Sequence, residues 1–151
     1  MGSYLTRCLL ALGATLFALA ASAEGEADSK VLIELSGLET AEGNLFIAVY
    51  DSKKTWLGED TVTQKKVVIT ESREDGLVKT ELQLPPGEYA LSIFHDTNDN
   101  GELDANFIGI PKEPVALSNN ARPKFGPPKY KDAVFELGAE PVLQQISMEE
   151  I

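Results

Sequence analysis

Apolar and polar residues alternate along most of this chain beyond residue 30, and the period is two. In residues 31–35, Val31, Ile33 and Leu35 share one face, with Leu32 and Glu34 between them; that spacing predicts a strand. Residues 45–50 (LFIAVY) are apolar on both faces and predict a central strand. Residues 65–70 (KKVVIT) predict a third. In residues 77–84, Val78, Thr80, Leu82 and Leu84 face one way and Lys79, Glu81 and Gln83 the other. In residues 88–95, Tyr89, Leu91, Ile93 and His95 oppose Ala90, Ser92 and Phe94. Residues 133–137 and 142–148 predict two closing strands. Turn residues separate these runs: ETAEGN at 39–44, ESREDG at 71–76 with its Asp-Gly pair, Pro85-Pro86-Gly87, and 138–141. No segment carries a helical period, and nothing repeats. Seven short strands with regular turn signals predict an all-β, antiparallel β-sandwich.

Between the fifth and sixth strands lies a long aperiodic segment, residues 96–131. In a small domain a loop of about thirty residues is functional or disordered. Five prolines within it, Pro111, Pro114, Pro123, Pro127 and Pro128, restrict the unfolded chain and favour order. The stretch LQLPPGEYAL (82–91) resembles the hairpin of transthyretin-like and carboxypeptidase-regulatory-like domains. That resemblance implies a sandwich of the same kind and no particular chemistry, so the expected fold is a seven-stranded Ig-like/transthyretin-like sandwich with one long ordered loop.

The first residues have another purpose. Arg7 supplies a short basic region, residues 8–20 (CLLALGATLFALA) an apolar core, and Ala21-Ser22-Ala23 a cleavage signal. This pattern predicts a cleaved secretory signal peptide over 1–23 and a single domain over 24–151. The apolar run is too short for a membrane span. The chain's only cysteine, Cys8, leaves with that leader, so no disulfide is expected. The formal net charge is −11, and the leader's one charged residue is basic. The field of such a chain opposes nucleic acid and anionic membranes and favours divalent cations.

The long loop opens with a metal-ligand rhythm. Asp96, Asn98 and Asn100 stand at positions one, three and five; Gly101, Glu102, Leu103 and Asp104 follow at six to nine. The pattern D-x-N-x-N-G-x-L-D is the start of an EF-hand-type calcium loop. Calcium takes six to eight hard oxygen ligands, and alternate residues of a tight turn aim theirs inward. The expected set is Asp96, Asn98, Asn100, the carbonyl of Glu102, and Asp104. Leu103 is expected to pack against the body. Position twelve is Phe107 instead of a bidentate Glu, so Asn106, Glu113 or Asn119 would have to complete the set. Weak affinity, about 10⁻⁴–10⁻³ M, is the expectation for such an extracellular site.

Further along, Phe107, Ile108 and Ile110 are expected to tuck into one end of the sandwich. Asn119, Asn120, Arg122, Lys124, Phe125 and Tyr130 gather amides, cations and aromatic faces into a candidate surface for an anion, a sugar or another envelope component. His95 stands beside the first calcium-loop residue, on the face of Tyr89, Leu91 and Ile93. It reads as a partly buried ring that bonds a loop carbonyl and fixes the loop's exit. The competing reading makes it the base of a hydrolase acting on glycan or ester, with Ser118 the one candidate nucleophile and no motif behind it. One histidine and no cysteine cannot build a zinc site.

The segment FHDTNDNGELDANFIGIPKEPVALSNNARPKFGPPKYKDAVFEL (94–137) resembles the signature of the bacterial domain-of-unknown-function 2141 family. The shared pattern is F-H-D-x-N-x-N-G-x-L-D, then S-N-N-A, F-G-P-P and D-A-x-F. This chain departs from it at residues 114–117, where relatives more often carry glycine and an aromatic. The resemblance implies a small secreted or periplasmic β-domain of a Gram-negative envelope, with no assigned activity.

Overall fold

A computed structural model describes residues 27–123 and 126–148. The expected leader, together with Lys124 and Phe125, lies outside the described residues.

The chain is mostly β and forms two sheets. Strands β1 (Ser29–Ser36), β2 (Asn44–Tyr50), β3 (Thr63–Val68), β4 (Arg73–Glu74), β5 (Leu77–Leu84), β6 (Gly87–Asp96), β7 (Val115–Leu117), β8 (Phe135–Leu137) and β9 (Val142–Ser147) follow in order. One sheet runs β4-β5-β1-β9; the other runs β3-β2-β6-β7, with β8 also on β6. The alternation places the core as the sequence suggests. Val31, Ile33 and Leu35 of β1, Leu45, Ile47 and Val49 of β2, and Leu91 and Ile93 of β6 are all buried in one shared cluster. Hence the two sheets face each other across a single apolar core.

Nine strands stand among the described residues where seven were expected. The two additions, β4 and β7, have two and three residues and stand inside stretches with no other regularity. Periodicity cannot register runs that short. The sheets are also not wholly antiparallel: β9 runs parallel to β1, with Ile33 opposite Gln144. Two single-turn α-helices, and a 3-10 turn at Ser118–Asn120, occur where no helix was expected. The first, α1 (Ile69–Ser72), takes over the end of the expected third strand. Ile69 still points inward and is fully buried, but the chain must there leave β3 in one sheet for β4 in the other. The second, α2 (Tyr130–Ala133), precedes β8, whose first residue is therefore Phe135 and not Ala133.

The hairpin before β6 is fixed by a tyrosine. Tyr89 Oη donates to the Pro85 carbonyl at 2.9 Å, closing the corner made by Pro85-Pro86-Gly87. Trp56 leaves its polar connection and packs edge-on against Tyr50 and Tyr130, with ring centroids 5.2 and 5.8 Å away. Its indole N–H donates to the Pro128 carbonyl at 2.9 Å. This satellite cluster, with Ala90, Leu117 and Ala133, lies under the far end of the long loop. Among the described residues no helix is long and apolar enough to cross a membrane.

Candidate functional site

Strand β6 is ten residues long, and its last residue is Asp96, opposite Asn44 of β2. The sheet therefore delivers the loop's first residue in fixed backbone geometry. Its floor is the turn before β2. Gly43 sits at φ +77°, and a Cβ there would lie 2.0 Å from the Asp96 carbonyl oxygen. The adjacent carbonyl, Glu42 O, accepts from His95 Nε2 at 2.7 Å. His95 is 1% exposed. Its ring thus ties strand to turn beneath the loop, and Nε2 carries the proton in this contact.

Asp96 is fully buried. Its Oδ1 accepts from the Asn100 amide at 3.1 Å and its Oδ2 from the Gly101 amide at 2.8 Å. Asn98 Oδ1 also accepts from the Asn100 amide, and Asn100 Oδ1 accepts from the Glu102 amide at 2.8 Å. Asn98 and Asn100 donate their side-chain N–H groups to the two oxygens of Asp104, at 2.7 and 3.4 Å. Asp99, at φ +55°, turns the other way and ion-pairs with Lys66 at 3.1 Å. The structure therefore brings Asp96, Asn98, Asn100 and Asp104 together.

A second buried carboxylate completes the fastening. Glu113 is 5% exposed. Its Oε1 accepts from the Thr97 amide at 3.0 Å, and its Oε2 accepts from the Asp104 amide at 3.1 Å. Glu113 so grips both ends of the nine-residue loop. Sequence reasoning reached this residue only as one of three substitutes for position twelve. The other two are engaged elsewhere. Asn106 Oδ1 caps the amides of Ile108 and Ile110. Asn119 lies against β9.

The donor chemistry fits a hard cation in part. Each carboxylate oxygen has two lone-pair directions, so Asp96 retains capacity after accepting two amides. Asp104 accepts only side-chain N–H groups, and those amides can rotate to present oxygen. Among the described residues no three His, Cys, Asp or Glu side chains gather as a metal set. A site here would be built from two carboxylates, two side-chain amides and a main-chain carbonyl, a set that suits calcium and not zinc.

Beyond Asp104 the loop becomes a small hairpin. Ala105 bridges Pro111, Lys112 N donates to Asp104 O, and Asn106 N donates to Ile110 O. The expected burial of its apolar residues is not found. Phe107 is 99% exposed and Ile108 64%, with Ile110 and Leu103 also exposed. The reason is local: Asn106 closes the turn on itself, so the tip stands off the sandwich and its side chains point outward.

The segment 118–120 does structural work. Ser118 is fully buried; its hydroxyl donates to the Ala133 carbonyl and accepts from the Leu91 amide. Asn119 and Asn120 both have positive φ, which Asn tolerates better than most residues. Asn119 Nδ2 donates to the Val134 carbonyl, and its amide N–H meets Gln144 Oε1. Asn120 Nδ2 donates to the Gln145 carbonyl while its Oδ1 accepts from the Ser147 amide. One side-chain amide thereby stands in for a strand along the free edge of β9, which blunts that edge. Tyr130 packs on Trp56, and burial, with Glu88 and Asp51 nearby, raises its phenol above its ordinary pKa. Arg122 is exposed and engaged with its surroundings.

No curated protein and no solved structure matches the chain. A family model described as "Uncharacterized protein conserved in bacteria (DUF2141)" matches residues 33–145. That span runs from β1 to β9 and includes the carboxylate-fastened loop, so the chain belongs to this bacterial family.

Proposed function

We propose that this protein is a non-enzymatic binding or structural module of the Gram-negative periplasm or exterior, with a loop stabilised by calcium. Asp96, Asn98, Asn100 and Asp104, with the Glu102 carbonyl, would hold the ion. Bound there, calcium supplies electrostatic cross-linking of the loop and no reaction step. The leader pattern of residues 1–23 supports export. The closed Tyr89 corner supports an Ig-like or transthyretin-like lineage for the sandwich.

One observation carries the binding reading: the loop is inside-out. Its carboxylates and amides turn inward to fasten it, while Phe107 and Ile108 turn outward. An ordered apolar tip on an acidic chain is a surface that a partner covers. That partner is an unidentified ligand or envelope component with an apolar recess. Nucleic acid is disfavoured by the chain's charge. The hydrolase reading gains nothing from His95 and Ser118, whose side chains both hydrogen-bond main-chain carbonyls.

The test is a melting curve with millimolar calcium and with chelator. Calcium raises the wild-type midpoint, and Asp96→Ala and Asp104→Ala each abolish the rise. The Asp104 variant is the cleaner of the two, because Asp104 caps no backbone amide of the loop. Identical wild-type curves under both conditions would remove the ion from the account.

A further inference from the structure

Residues 105–111 (ANFIGIP) carry no charged side chain, in a chain whose formal net charge is −11. They form the tip of the hairpin that Ala105 and Pro111 close. Nine large apolar side chains are exposed among the described residues, and four of them, Leu103, Phe107, Ile108 and Ile110, fall within residues 103–110. Single apolar residues scattered over a surface need no partner, whereas a set gathered on one projection marks an interaction surface. The backbone of the tip then discriminates between kinds of surroundings. A main-chain N–H taken out of water without a hydrogen bond is costly. A protein partner can supply that bond, and the acyl region of a bilayer cannot. This tip supplies its own. The Asn106 N–H donates to the Ile110 carbonyl at 2.8 Å, and the Gly109 N–H to the Asn106 carbonyl at 3.0 Å. The N–H groups of Ile108 and Ile110 both donate to Asn106 Oδ1 at 3.0 Å. Pro111 has no N–H to satisfy, and the Lys112 N–H donates to the Asp104 carbonyl at 2.8 Å. From Asn106 to Lys112, only the N–H of Phe107 lacks a partner among the described residues. Charge begins where the tip ends. Lys112 is exposed on one leg of the hairpin and Glu102 on the other, and neither is in an ion pair among the described residues.

We infer that this hairpin is a membrane-docking finger for a zwitterionic phospholipid surface. Phe107, Ile108 and Ile110 enter the interfacial region of the bilayer, and Leu103 rests at its boundary. Lys112 meets the lipid phosphate, its stem lying along apolar surface while its ammonium stays among the headgroups. Glu102 meets the headgroup amine. An ammonium and a carboxylate flanking a neutral tip match a headgroup that carries both signs, and the chain's overall negative charge disfavours an anionic surface. The inference rests on the reading that a partner covers the tip, and it names that partner as a bilayer in place of a recess in a protein. Docking is shallow. Residues 105–111 are too few to cross a hydrocarbon core, and the charged residues at the base of the hairpin stop it at headgroup depth. It is also reversible, since a few apolar side chains hold a protein to a membrane only marginally. The finger thereby keeps an acidic sandwich close to a lipid surface without an anchor in it.

The experiment is flotation of the mature protein with vesicles of phosphatidylcholine and phosphatidylethanolamine, with chelator present so that no cation bridges protein and lipid. The wild type is expected to float with the vesicles. The double change Phe107→Ser with Ile108→Ser, shown folded by circular dichroism, is expected to lower the partition coefficient by about tenfold or more. Phe107→Ser alone carries the test should the double variant fail to fold. Phosphatidylglycerol vesicles at low salt are expected to bind more weakly than the zwitterionic ones, and tighter binding to them would overturn the headgroup assignment. A wild type that stays in solution, or a serine variant that floats equally well, would overturn the docking finger. A photoreactive phenylalanine analogue at position 107, activated in bacteria exporting the protein, separates this inference from the reading beneath it. Lipid adducts support the finger. An adduct to one protein, without vesicle binding, overturns the lipid and leaves a covered tip standing. The absence of both vesicle binding and adducts overturns the two together.

Discussion

Removing the Glu113 carboxylate is the sharpest test of how the loop is held. Its two oxygens accept the Thr97 and Asp104 amides, which lie seven residues apart at the two ends of the ligand set. A hydrogen bond to a charged group contributes about 1.5–3 kcal/mol, and an amide left buried without a partner costs a similar amount. Both amides are only part-buried, so water recovers some of the loss, and Glu113→Ala is expected to cost about 3 kcal/mol in total. At roughly 4 °C per kcal/mol for a domain of this size, the melting midpoint falls by about 12 °C. Glu113→Gln keeps one acceptor but turns an N–H₂ toward the other amide, so it recovers at most half of the loss. Urea unfolding at constant m-value measures the effect, and amide exchange at Thr97 and Asp104 locates it. The exposed Glu136→Ala is the control. If Glu113→Ala falls within about 0.5 kcal/mol of that control, the loop is not fastened by this carboxylate.

Three further outcomes follow from the same geometry. Gly43→Ala requires both a positive φ and a Cβ inside contact distance of the Asp96 carbonyl, so it is expected to destabilise by about 2–4 kcal/mol in urea unfolding, with the loss including the loop's amide protection. Burial raises the phenol pKa of Tyr50, Tyr89 and Tyr130 above the ordinary 10.0. The unfolded chain therefore ionises first, and stability that is whole below pH 10 is lost as pH climbs through the raised folded values; an alkaline titration followed by tyrosinate absorbance and circular dichroism reads this. The double change Phe107→Ser with Ile108→Ser is expected to leave the melting midpoint within about 2 °C of wild type, since neither side chain contributes to the core; a large fall would mean that the tip packs on the body after all.

Most strands were legible because one face is buried and the other is wet, and a period of two records that; β2, with no exposed position, was legible instead as a short continuous apolar run. β7 was not, because Val115, Ala116 and Leu117 give one and a half periods inside a stretch with no other regularity. The loop over residues 96–104 stood out by its spacing, and the side chains of Asn98, Asn100 and Asp104 do meet. The sequence could not say that Glu113, nine residues beyond Asp104, would reach back to hold it. That contact depends on the intervening hairpin, which Asn106 closes by bonding its own backbone. The same closure explains the exposed tip. Phe107, Ile108 and Ile110 look like core residues by type, but a turn satisfied from within has no need of the sandwich. Asn119 and Asn120 look like ligand-binding amides by composition. The structure shows the identical chemistry directed at main-chain groups of β8's approach and of β9, a use of polar side chains that no single-sequence pattern distinguishes from recognition.

Whether the loop takes up a cation is read by a calcium titration followed through the backbone amide resonances of the loop. A calcium-binding loop gives saturable shifts of Gly101, Glu102 and Asp104 with a Kd of about 10⁻⁴–10⁻³ M, abolished in a folded Asp104→Ala protein. Loop resonances that stay fixed through ten millimolar-scale additions, or that shift equally in Asp104→Ala, would contradict it.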